Sequence, residues 1–278
     1  MRIRRSIDNA QADVAFDTNN VVSDNSTVTV AAAGGGLAVG NTLTLASFRS
    51  GRTLFVSTWY DQGVNGFHGT QSNTARQAVF SLNVIGPSNQ YASLVFTGTA
   101  KHNVTVNQTL PVLLGSGLRG SVMMIARVQD GFSTNNSFGH SDSADNNKRW
   151  SAHMNWPDGA NQMYTDFASS FDINRSFLNN TSIGLYANKQ YTLIRNTASK
   201  TIRVSGIDRN SSSQNYQSLS WSAGSTFGVG LTTGSLDTGF NQNGFTGNIP
   251  EFILFPEPLT AVQYGLIENN QISFWGAY

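Results

Sequence analysis

Short alternating or apolar runs, each closed by a cluster of Gly, Asn, Ser or Asp, recur through most of this chain, and they constrain its fold more than any other feature. Candidate strands are Thr53 to Thr58, Ala92 to Phe96, Val122 to Val128, Gln190 to Arg195, Thr201 to Ser205, Thr226 to Gly230 and Ile249 to Phe255. Such spacing belongs to a sandwich or barrel, whereas βαβ units would place long helical periods between the runs. Tyr191 to Arg195 and Thr201 to Ser205, joined by Asn196 to Lys200, read as a hairpin.

The run Ile249 to Phe255 is apolar on both faces except for Glu251, as expected of a strand covered on two sides. Pro256 and Pro258 then stop pairing, because proline cannot donate to a ladder. Thr260 with Gln263 has the spacing of a capping box, so a helix is expected over 261 to 271 with Val262, Leu266 and Ile267 facing the sheet. The AAAGGG segment, Ala31 to Gly36, reads as flexible. At 278 residues an all-β chain can still form one unit, so a single domain spanning 1 to 278 is expected.

Three segments carry a family resemblance. They are Ile3 to Phe16 (IRRSIDNAQADVAF), Val56 to Gln71 (VSTWYDQGVNGFHGTQ) and Gly244 to Gln271, with Ser93 to Val106 between them. Together they resemble the concanavalin A-like lectin/glucanase domains related to laminin G modules. The opening and the WYDQ segment are also similar to the catalytic domain of arabinofuranosidases of the B type. The resemblance implies an all-β fold, a concanavalin A-like jelly-roll sandwich of two antiparallel sheets with one short C-terminal helix. The chain departs from the arabinofuranosidases in having no cysteine.

Absence of Cys also removes disulfides, thiolate chemistry and Cys-ligated zinc. The start MRIRRSIDN has no apolar core of about 7 to 15 residues, so a secretory signal is not expected. No run reaches the roughly 18 apolar residues of a membrane span. A net charge of +1, with 12% charged residues, supplies no basic field for nucleic acid. The Arg2, Arg4, Arg5 cluster therefore reads as structural rather than phosphate-binding. Abundant Asn, Ser, Thr, Gln and Gly are typical of secreted proteins and of virion surface appendages.

Glycoside hydrolysis usually needs two facing carboxyl groups, about 5 to 9.5 Å apart. All three Glu residues, Glu251, Glu257 and Glu268, lie in the closing segment, and no spaced acidic array precedes them. Asp61 in the recognised tetrad is placed to accept backbone amides as an Asx turn. No catalytic residue is assigned.

A sugar site needs a flat aromatic for the ring face plus amides or carboxylates for the hydroxyls. Trp150, Asn155, Trp156, Asp158 and Tyr164, with Asn161 and Gln162 nearby, offer that mixture; Trp221 is a further candidate. Asp142, Asp145 and Asn146 are the candidate Ca²⁺ ligands, as oxygen donors in one loop, although their spacing is not that of an EF-hand. His140 and His153 read as ordinary loop histidines. The function expected is a noncatalytic glycan-binding or structural module, a bacteriophage capsid decoration or tail-fibre component packing on neighbouring virion proteins, and compatible with a homo-oligomer. The alternative is a glycoside hydrolase of the arabinofuranosidase-like type.

Overall fold

The computed structural model describes residues 1–129, 137–141, 148–156, 161–168, 174–184, 186–213, 221–234 and 244–278. It is predominantly β, and its ladders are antiparallel except where Ser137–Ser141 meets Thr233–Gly234 in parallel. The strands predicted from alternation are present, with ends displaced by a few residues. Val122 to Val128 extends to Arg119–Val128 and Ile249 to Phe255 to Gly247–Phe255.

Two arms of one ladder diverge from the strand Leu54–Trp59. The first runs through Val79–Ile85, Tyr91–Phe96, Gly247–Phe255, Arg119–Val128, Lys189–Asn196 and Ser199–Val204 to Ile207–Ser213. The second runs through Gly69–Thr70, Val104–Thr109, Thr226–Val229, Ser137–Ser141, Arg149–His153 and Gln162–Ala168 to Arg175–Asn179. Their far ends meet again where the Asn210 amide donates to the Phe177 carbonyl at 2.7 Å. The result is a large, nearly closed antiparallel sheet.

The arms face each other across the main core. Phe138 and Phe227 from the second arm lie 5.2 and 5.9 Å, centroid to centroid, from Phe252 of the first. Trp150, Phe167, Val122, Met124, Tyr191 and Leu193 fill the same cluster. Fully burying each large side chain contributes roughly 1.5 to 3 kcal/mol, so this core suffices without cross-links.

The predicted hairpin forms, but its turn is tighter than expected: Asn196 pairs with Ser199, leaving Thr197 and Ala198 as the loop. In the AAAGGG segment the first two glycines lie close to the chain around Asp8, while Gly36 stands in open space. The strand continues to Ala32, and a Cβ on Gly34 would sit 2.7 Å from the Asp8 carbonyl oxygen. Gly35 has φ of +55°, which glycine adopts most easily, and a Cβ there would meet Asp8 and Arg5 side-chain atoms. Both glycines are needed for this close approach.

The C-terminal helix, Ala261–Trp275, has the capping box at Thr260 and Gln263 and ends at Gly276 in the left-handed region. Its orientation corrects the sequence reading. Val262 and Leu266 are 74% and 68% exposed, Ile267 is only half-buried, and the fully buried positions are Glu268 and Gln271. Glu268 is held by Arg203 at 2.9 and 3.0 Å, and Gln271 accepts from Gln190 at 3.1 Å. A polar seam therefore joins helix to sheet where an apolar one was expected. Among the described residues no helix is long and apolar enough to cross a membrane.

Candidate functional site

The WYDQ segment is tied down by hydrogen bonds. Arg2 grips Asp13 with two hydrogen bonds of 2.9 and 2.8 Å, and the Tyr60 hydroxyl donates to the same carboxylate at 2.6 Å. Burial and that hydrogen bond push the Tyr60 phenol up to about 12. Asp61 accepts the amides of Gly63 at 2.8 Å and Phe67 at 3.0 Å, fixing the loop as an Asx turn. Arg4 is spent on Gln77 and Asn9, Arg5 on Asp8 and the Phe48 carbonyl. This ties the first strand to its neighbours and leaves no phosphate patch.

The described glutamates are similarly engaged. Glu251 accepts the Trp275 indole N–H at 2.6 Å, Glu257 pairs with exposed Arg119 at 3.3 Å, and Glu268 is held by Arg203. No described carboxylate is hydrogen-bonded to another. Asp142, Asp145, Asn146 and Asp158 lie outside the described residues; among the described ones no group of three His, Cys, Asp or Glu side chains is placed to hold a metal.

Chemistry concentrates instead on four neighbouring strands of the second arm: Ser137–Ser141, Arg149–His153, Gln162–Ala168 and Arg175–Asn179. Alternation sorts their side chains into two faces. Trp150, Ala152, Met163, Phe167 and Leu178 point into the core. Cross-strand pairing places Ser151 beside Asp166, His153 beside Tyr164, Asp166 beside Arg175 and Tyr164 beside Phe177 on the opposite face. Trp150, read from sequence as a stacking platform, is thus a core residue, edge-on to Phe167 at 5.1 Å.

Asp166 is fully buried and forms the charged centre of this face. Arg175 donates to it at 2.7 and 2.8 Å, and Arg149 donates to its Oδ2. Burial alone would raise the carboxyl. The Arg175 hydrogen bonds and the charges of Arg175 and Arg149 outweigh it and hold Asp166 below the usual carboxylate range. From the first arm, burial lowers Lys200 to about 8, opposed by the Asp166 charge.

Beside this cluster runs a strip of rings. Trp156, half-buried, meets His153 edge-on at 4.9 Å and Tyr164 at 6.2 Å; Tyr164 meets Phe177 at 6.4 Å. Phe177 is 53% exposed. Arg175 lies over the Tyr164 ring at 4.4 Å, and the Tyr164 hydroxyl donates to Gln162. The Trp156 amide donates to the Gln162 carbonyl at 2.9 Å, which anchors the tryptophan at the ladder's end. Asn155 is buried and accepts from Asn180 at 3.0 Å. The structure therefore brings Trp156, Tyr164 and Gln162 together and withdraws Trp150 and Asn155 from the surface. Phe177 and Arg175 carry only a weak sequence signal, the placing of Arg and Phe on one side of R-S-F-L-N.

Two polar side chains on this face are buried without hydrogen-bond partners among the described residues: Ser151 through Oγ, and His153 through both ring nitrogens. Burial lowers the His153 imidazole to about 3. An unmet buried polar group costs about 1 to 3 kcal/mol, so the fold is not at its most stable here. Two clefts of about 320 Å³ lie elsewhere, one at Leu114, Leu118, Arg119 and Pro256, the other at Arg49, Leu54 and Phe80. Trp221 stands near the first, its indole donating to the Gly115 carbonyl at 3.3 Å. Neither cleft is lined by the rings or the buried polar groups of this face.

No protein-family model and no characterised protein sequence matches the chain. Solved structures do share its fold. An arabinofuranosidase complexed with arabinofuranosyl-α-1,2-xylobiose superposes with a TM-score of 0.59 at 13% identity, over 98% of this chain and 58% of that one. At that identity the likeness is one of fold, and the chain spans less than two thirds of the enzyme. Weaker matches include a botulinum neurotoxin serotype D/C binding domain, with a TM-score of 0.48 at 15% identity over 77% of this chain and 52% of that one. Another is domain 4 of an extracellular arabinanase from Geobacillus stearothermophilus in complex with arabinotriose, at 0.39 and 11% identity over 77% and 82% of the two chains.

Proposed function

We propose that this chain is a noncatalytic, concanavalin A-like binding module that takes a neutral glycan across Trp156, Tyr164 and Phe177. The observation that carries the reading is Phe177, an aromatic ring left half in solvent beside two half-buried rings and a polar cluster. Such a strip offers ring faces to sugar C–H groups, while Gln162 stands beside them for hydroxyls. The fold is shared with an arabinofuranosidase, which supports a carbohydrate ligand without assigning hydrolysis.

A glycan array carrying xylo-, arabino- and galacto-oligosaccharides tests the reading. Binding by the wild type that Phe177→Ala or Trp156→Ala weakens at least about tenfold supports it, tenfold being 1.4 kcal/mol. Binding unchanged in both variants removes the strip from the account. The hydrolase alternative is answered by the same panel: released sugar that Asp61→Asn or Glu251→Gln abolishes would replace a binding module with an enzyme. The virion setting proposed alongside rests on the Asn-, Ser-, Thr- and Gly-rich composition, and is tested by finding the protein at fixed stoichiometry in purified particles.

A further inference from the structure

We infer that His153 and Ser151 form a buried hydroxyl-binding subsite at the inner end of the aromatic strip, taking a ring hydroxyl of a neutral sugar. The inference rests on the binding reading above and deepens it by naming the group that is recognised. The two residues lie two apart on the strand Arg149–His153, so their side chains share a face. Their exposures are 0% and 1%, and neither finds a hydrogen-bond partner among the described residues. Trp156, partly exposed, meets the His153 ring edge-on at 4.9 Å and joins the pair to the strip.

The chemistry fits a hydroxyl better than an ion. A neutral imidazole offers one N–H donor and one nitrogen acceptor, and the serine hydroxyl offers the same pair of roles. A sugar hydroxyl both donates and accepts, so it can satisfy either residue. Burial keeps His153 uncharged across ordinary pH, and the neighbouring Arg149 and Arg175 are already engaged with Asp166. An anionic ligand would have to compete with that carboxylate.

The test compares Ser151→Ala, His153→Phe and His153→Gln with Trp156→Ala, measuring the melting temperature of the free protein and calorimetric affinity for the oligosaccharides above. Removing an unmet buried polar group should leave the melting temperature equal or higher. Affinity should nonetheless fall, about fivefold for Ser151→Ala and about tenfold for His153→Phe, with His153→Gln retaining more because its amide also donates and accepts. Should His153→Phe fail to fold, Ser151→Ala decides. Wild-type affinity in the Ser151 and His153 variants, with loss in Trp156→Ala, would leave the strip standing and reduce the pair to a water site. No loss in Trp156→Ala, or no binding at all, would overturn the strip and this subsite together.

Discussion

The Arg175 guanidinium holds the buried Asp166 carboxylate through hydrogen bonds of 2.7 and 2.8 Å. The same guanidinium lies over the Tyr164 ring at 4.4 Å. One side chain thus joins the charged centre of the polar face to its aromatic strip. Asp166→Ala leaves the buried Arg149 without that carboxylate, and breaking a buried pair costs about 3 to 5 kcal/mol. Urea denaturation at neutral pH should show a loss of this size. A loss below about 1 kcal/mol would mean that the cluster is solvated.

The polar face should also set the acid limit of stability. His153 is held at about 3 in the fold, below its unfolded value of about 6.5. Between these values the unfolded chain binds the extra proton, so stability falls as pH drops through the window, by up to about 1.4 kcal/mol per pH unit. Asp166, depressed in the fold, contributes stability that is present above its unfolded pKa and is lost as pH falls through its folded one. Denaturation midpoints from pH 7 to 4 should decline in the wild type and flatten in His153→Phe. An equal decline in both would show that His153 is already solvated or paired.

The C-terminal helix gives a discriminating pair of substitutions. Leu266→Ala should cost less than about 0.5 kcal/mol, since Leu266 is 68% exposed. The sequence expectation of a buried Leu266 would demand about 2 to 5 kcal/mol. Glu268→Ala strands Arg203 at the polar seam and should cost about 3 kcal/mol or more. Thermal melts of the two variants settle which face of the helix is inward.

Asp61→Ala should lower stability by about 0.5 to 1.5 kcal/mol, because the Gly63 and Phe67 amides lose their acceptor. Glycan affinity should stay at the wild-type value. Loss of binding with an unchanged melting temperature would instead return the WYDQ segment to the functional site.

Much of the fold was legible in local pattern. Alternation located the strands, and Thr260 with Gln263 located the helix start, because each depends on residues close in sequence. What was not legible depended on partners far away. The inward face of the helix is set by Arg203, 65 residues from Glu268, and by Gln190, 81 residues from Gln271. Trp150 and Trp156 look alike in RWSAHMNW. Only the pairing of Trp150 with Phe167 sends the first into the core, and the strand ends before the second. Alternation alone cannot say which face of a strand is inward, least of all where Arg149, Ser151 and His153 are buried on the other side.

An NMR titration with xylo- and arabino-oligosaccharides decides whether a neutral glycan lies on Trp156, Tyr164 and Phe177. Saturable shifts of the Trp156 indole N–H and of the Tyr164 and Phe177 ring resonances are expected, with Trp221 and the Asp61 loop unmoved. Shifts confined to Trp221, or to the loop from Asp61 to Phe67, would contradict that placement.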